Sequence, residues 1–111
     1  MSRRAFISEF ELMVLVAVLR VGDEAYGLPI AREIEEVTGR SVTVAGIYAA
    51  LQRLEEKGLV SSSLGEPTAI RGGRAKRFFR VTAEGVKEAR EARRVLMALW
   101  KGVPAFKGGT V

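Results

Sequence analysis

Cysteine and histidine are both missing from this 111-residue chain, and aspartate occurs once, at Asp23. Without cysteine there are no disulfides and no thiolate nucleophile. Without histidine the commonest general base is gone, and with it the rest of the usual zinc ligand set. The three serines Ser61 to Ser63 have no imidazole to activate them, and the glutamates lie mainly on helix-like stretches among basic residues. No catalytic residue, metal ligand or cofactor is therefore predicted, and the chain reads as a non-enzyme. Long apolar runs are missing too. Leu12 to Leu19 is unbroken but falls far short of the roughly 20 residues that a bilayer helix needs. Met1-Ser2-Arg3-Arg4 leads into a segment interrupted by Glu9 and Glu11, which does not read as a signal peptide. A cytoplasmic protein without a membrane partner is expected, and the lack of cysteine agrees with a reducing compartment.

What is present is a chain able to fold. Hydrophobic residues make up 48% and charged residues 28%, enough for a core in one small domain. The formal net charge is +5, which favours a polyanionic partner. Its location is more telling than its size. Between Arg71 and Arg80 stand Arg71, Arg74, Lys76, Arg77 and Arg80 with no acidic residue among them.

Local signals divide the chain into a run of helices and a hairpin. Ser8 followed by Glu11 reads as a capping box opening a helix over 9–20. Its apolar run covers the whole circumference, so more than one side must be covered. Either a partner subunit or complete burial within the monomer satisfies that demand. A second helix spans 27–37, with Pro29 in its first turn, Gly39 as its stop, and Ile30, Ile34 and Val37 on its core face. Thr43 caps a third over 44–57, whose buried stripe is Ile47, Leu51 and Leu54. Residues 59–64 and 76–81 read as strands joined by a Gly- and Pro-containing, mobile tip. Thr82 caps a last helix over 83–101, and Gly102, Pro104 and Gly108-Gly109 mark a loose tail.

Three helices followed by a basic hairpin is the order of a winged helix-turn-helix. The expected fold is mainly α with a small β-hairpin. It comprises a DNA-binding domain over 1–82, a dimerisation helix over 83–103 and a flexible tail over 104–111. In this reading the third helix enters the major groove. Thr43, Ala45 and Gly46 make its small-residue approach, and Tyr48, Gln52 and Arg53 contact phosphates or base edges. Tyr48 can equally pack its ring on the core. Lys57 is read as serving the helix dipole. On the wing, Arg71, Arg74, Lys76 and Arg77 meet the backbone or minor groove, the alternative being a solvated hairpin kept soluble by its charges. The last helix repeats Ala89, Ala92, Leu96, Leu99 and Val103 at coiled-coil spacing. With Leu12 and Val16 of the first helix, this stripe is the predicted homodimer interface, unless the helix folds back on its own domain. Met97, Trp100 and Phe106 form a bulky cluster that could line a pocket for a flat apolar effector or simply pack the interface. A winged-helix protein-interaction module and a ligand sensor with weak DNA binding are the rival readings, and the basic wing argues against the first.

The stretch Gly46-Ile47-Tyr48-Ala49-Ala50-Leu51-Gln52-Arg53-Leu54-Glu55-Glu56-Lys57-Gly58-Leu59-Val60 resembles the signature of PadR-like transcriptional regulators. Ala25-Tyr26-Gly27 before the second helix and the wing segment from Gly72 to Gly85 support the likeness, which runs from about Phe10 to Trp100. The resemblance implies a bacterial or archaeal dimeric repressor that binds palindromic operators near its own or adjacent genes. It also implies a dimer interface made by the last and first helices, and, in some members, release of DNA when an aromatic molecule binds between the subunits. By position it places Tyr48 and Arg53 on the recognition helix and Arg74, Lys76 and Arg77 on the wing. Two features depart from the family pattern: Ala49 stands where proline often follows the tyrosine, and the single C-terminal helix resembles the short subfamily, for which no larger effector domain is expected.

Overall fold

The computed structural model describes residues 7–65 and 76–104. The chain runs α1 (Glu9–Val21), a 3-10 turn (Gly22–Glu24), α2 (Gly27–Thr38), α3 (Val44–Glu56), β1 (Val60–Leu64), β2 (Arg77–Val81) and α4 (Ala83–Lys101). It is mainly helical with one antiparallel hairpin, the winged helix-turn-helix order that the sequence predicts.

Each helix starts on a side chain or a turn that the sequence supplies. Ser8 Oγ accepts from the Glu11 N–H, and the Glu11 carboxylate accepts from the Ser8 N–H, both at 3.1 Å. Thr43 and Thr82 accept from the third residue onward, Gly46 N at 2.9 Å and Gly85 N at 3.0 Å. Gly58, at φ 76°, turns the chain out of α3, and the Leu59 N–H donates back to the Leu54 carbonyl at 2.9 Å. This satisfies carbonyls at the helix end that would otherwise be left open.

The core is assembled from α1, α2, α3 and the inner face of the hairpin. Leu15, Ile30, Ile47, Leu51, Leu54 and Val14 are its largest fully buried side chains. Phe79 and Val60 close it from the sheet, whose register pairs Val60 with Val81 and Ser62 with Phe79. The Phe79 N–H donates to the Ala25 carbonyl at 2.8 Å, so β2 is also tied to the segment that leads into α2. The apolar circumference of α1 divides into two sides: Val14, Leu15, Ala17 and Val18 are buried, while Val16 and Leu19 face outward.

Two expectations are corrected. Val37, assigned to the core face of α2, is 56% exposed, because the buried residues of that helix end at Ile34. Ala89, assigned to the subunit interface, is buried within its own chain. The reason lies one turn earlier, at Gly85. A Cβ there would stand 2.1 Å from the Leu59 carbonyl oxygen and 2.6 Å from Val81 Cγ1. The missing side chain lets the start of α4 lie directly on the α3–β1 turn, and the Thr82 hydroxyl fastens it by donating to the Gly58 carbonyl at 2.8 Å. The first turns of α4 thus pack into the body that α1, α2, α3 and the hairpin form, the head of the molecule. From Arg93 to Lys101 every residue of the helix is exposed.

Candidate nucleic-acid interface

The pair α2 and α3, with the 39–43 turn between them, leaves one side of α3 open to solvent. Thr43, Ala45, Tyr48, Ala49, Gln52 and Arg53 are exposed there, and Gly46 is half-buried. All six recognition-helix candidates therefore share an accessible face, although three of them also have internal duties. Thr43 Oγ is the helix cap, with its hydroxyl accepting from Gly46. Tyr48, 38% exposed, lays its ring over Gly27, where a Cβ would come within 2.5 Å of the ring. Its hydroxyl accepts from the Gly27 N–H at 3.2 Å, and its ring lies 6.1 Å from that of Phe79. Tyr48 therefore locks the start of α2 to α3 and satisfies a donor for which α2 has no side-chain cap.

Arg53 is held from behind. Its Nε donates to Glu11 Oε2 at 2.6 Å, and Lys57 Nζ donates to Glu11 Oε1 at 2.8 Å. Glu11 is 4% exposed, the one buried charged residue among those described. Burial pushes its carboxyl upward. Hydrogen bonds from Lys57, Arg53 and the Ser8 N–H, together with the Lys57 charge, outweigh that and hold the group at about 2, below its ordinary 4.5. Lys57, read from the sequence as serving the helix dipole, is thus also an ion partner of Glu11.

The wing candidates that fall within the described residues are anchored to the same side. Lys76 Nζ donates to the Tyr26 hydroxyl at 3.2 Å and lies 4.5 Å from the centre of that ring. Phe78 packs edge-on against Tyr26 with centroids 5.8 Å apart. Arg77 Nη1 donates to Ser62 Oγ at 2.9 Å, and that hydroxyl donates to Glu55 of α3 at 2.8 Å. A chain of polar contacts thus links β2 to α3. Arg71 and Arg74 lie outside the described residues, as does the tip of the hairpin.

On the far side, Leu96, Met97, Leu99, Trp100 and Val103 are exposed and Ala92 is half-buried. Leu96 also borders a groove of about 360 Å³ between α1 and α2, lined by Leu12, Met13, Val16 and Val37 with Glu9, Arg20 and Glu33 at its rim. Phe106, grouped with Met97 and Trp100 as a ligand contact, lies outside the described residues. Among the described residues, no group of acidic side chains is arranged to hold a metal ion, and no helix is long and apolar enough to cross a membrane.

Glu11 and Tyr26 help to build this site without any such part being predicted for them from the sequence. Glu11 is visible there as the third residue of a capping box. Nothing local to it announces cationic partners 42 and 46 positions away.

A model described as the transcriptional regulator PadR-like family matches residues 15–91. No curated protein matches the sequence significantly. Among solved structures, a transcriptional regulator from Clostridium thermocellum is 26% identical, with a TM-score of 0.68 over 82% of this chain and 85% of that one. A PadR family regulator from Clostridium difficile is 28% identical, with a TM-score of 0.61 over 81% of this chain and 91% of that one. Bacillus subtilis PadR, solved in complex with operator DNA, is 20% identical and shares the fold with a TM-score of 0.63, over 94% of this chain and 53% of that one.

Proposed function

The chain belongs to the PadR-like family of transcriptional regulators, and from that premise we propose that it binds double-stranded DNA as a homodimer and acts as a repressor. The observation that carries this reading is the shared face of α3 and β2. Arg77 is joined to α3 through Ser62 and Glu55, and Lys76 is held on Tyr26, the residue before the Gly27 that Tyr48 of α3 covers. Thr43, Ala45 and Gly46 supply a small-residue entry into the major groove, with Tyr48, Gln52 and Arg53 behind them. Arg71, Arg74, Lys76 and Arg77 supply the wing's phosphate or minor-groove contacts. Repression follows by occupancy, since a protein seated on a promoter excludes polymerase.

In this reading residues 1–82 form the head, 83–103 a dimerisation helix whose first turns pack into that head, and 104–111 a tail. Leu12, Val16, Ala92, Leu96, Leu99 and Val103 form the subunit interface, while Ala89 supports it from inside the head. The exposure of so many large apolar side chains on the second half of α4 supports an occupied face, and two-fold symmetry is the commonest way to occupy one. The apolar groove beside Leu96, with Met97 and Trp100 nearby, supports a small aromatic effector as a second level of control.

Hydroxyl-radical footprinting on a duplex selected by the chain from a randomised pool tests the proposal. Two protected half-sites about one helical turn apart, related by a two-fold axis, are expected. A single unpaired footprint would argue against a dimer, and the lack of any selected consensus would argue against sequence-specific binding.

A further inference from the structure

The buried carboxylate under the recognition helix has more partners than a helix cap needs. Glu11 divides its oxygens: Oε2 takes Arg53 at 2.6 Å, and Oε1 takes both Lys57 at 2.8 Å and the Ser8 N–H at 3.1 Å. The bond to Ser8 belongs to the capping box at the start of α1, so the carboxylate cannot turn without opening that helix end. Arg53 is therefore fixed through Nε by a rigid acceptor, while its side chain stays 48% exposed. A guanidinium held in this way loses less freedom when it meets a phosphate or a guanine edge. Fold stability alone does not explain the arrangement, because an apolar residue of similar size often serves a buried site as well or better.

We propose that Glu11 is a positioning residue for DNA recognition, which orients Arg53 from beneath α3 and so sets how the helix seats on its site. The proposal rests on the DNA-binding reading above. It assigns Glu11 no contact with DNA. It also makes a prediction that simple charge counting reverses. Removing a buried negative charge raises the positive charge of this face, so Glu11→Gln leaves affinity for arbitrary DNA unchanged or tighter and steepens its salt dependence. Preference for the correct site nevertheless falls, because Arg53 is no longer held.

The test is a fluorescence-anisotropy titration of the full chain against a duplex selected by the wild type and a scrambled duplex of equal composition. Glu11→Gln lowers the selected-to-scrambled affinity ratio roughly tenfold, the discrimination that one well-placed arginine–base pairing supplies. Arg53→Lys keeps the cation and the salt slope but lowers the ratio to a similar extent. Glu11→Gln combined with Arg53→Ala has the same ratio as Arg53→Ala alone, since Glu11 acts through that side chain. An unchanged ratio in Glu11→Gln, or an effect that adds in full to that of Arg53→Ala, overturns the proposal. Should Glu11→Gln fail to fold, Glu11→Asp, which keeps the charge and withdraws it by one methylene, must still lower the ratio. Absence of any preference in the wild type refutes the DNA-binding reading itself, an outcome separate from these.

Discussion

Stability in acid isolates the Glu11 cluster from the rest of the molecule. The Glu11 carboxyl falls from its ordinary 4.5 to about 2 in the folded chain, so the native state binds this proton more weakly than the unfolded state does. A depressed carboxyl adds stability that is fully present above the unfolded value and is lost as pH falls through the folded one. At about 1.4 kcal/mol per tenfold change in proton affinity, the cluster contributes about 3 kcal/mol near neutrality. About half of that remains at pH 3, and almost none below pH 2. Glu11→Gln keeps the shape but not the charge, and leaves Arg53 and Lys57 without their carboxylate. Urea unfolding followed by circular dichroism, on both proteins between pH 7 and pH 2, measures the gap. The wild type is more stable by up to about 3 kcal/mol at pH 7, and the two curves converge as pH approaches 2. Parallel curves at all pH values would show that Glu11 is not held by its cations, and the reasoning would fail.

Other expectations concern packing, the wing and the subunit interface. Gly85→Ala should destabilise by about 1–3 kcal/mol, because the new Cβ meets the Leu59 carbonyl at 2.1 Å. Alanine's helix propensity, worth about 1 kcal/mol over glycine, acts in the opposite sense, so a rise in thermal midpoint would show that α4 does not lie on that turn. Gly102→Ala, whose nearest neighbour would be 3.7 Å away, serves as the well-tolerated control. Replacing Arg74 and Arg77 with alanine should weaken binding to all duplexes alike and reduce the salt slope by about 1 for each phosphate that is no longer neutralised; an unchanged slope removes the wing from the mechanism. Leu99→Arg changes a side chain that is 69% exposed, so thermal stability of the single chain should shift by less than about 0.5 kcal/mol. Sedimentation should meanwhile show monomers, and a persistent dimer would move the interface elsewhere.

The sequence carried the local part of this structure well. Ser8, Thr43 and Thr82 mark helix starts through hydrogen bonds that reach only three residues onward, and Gly39 and Gly58 adopt the positive φ angles of helix stops. Such signals need no knowledge of the remainder of the chain. What was not legible depends on distant pairing. The Tyr48 hydroxyl meets Gly27 21 positions away, and Lys76 meets Tyr26 50 positions away. The apolar stripe of α4 reads as one continuous seam, yet the close approach at Gly85 draws Ala89 into the head and leaves Leu96, Leu99 and Val103 outside. Spacing alone shows that a face is apolar, not which neighbour reaches it first. For the same reason Val37 keeps helical phase with Ile30 and Ile34 but projects beyond the packed region and lines the α1–α2 groove.

A face of α3 and a wing that recognise a DNA sequence must prefer that sequence to arbitrary DNA. Titrating the purified chain against the intergenic DNA upstream of its own gene and against a scrambled duplex, at two salt concentrations, tests it most directly. Preference for the upstream fragment that persists at the higher salt is the predicted result. Equal affinity for both duplexes, collapsing together as salt rises, would contradict it and leave only a basic protein attracted to a polyanion.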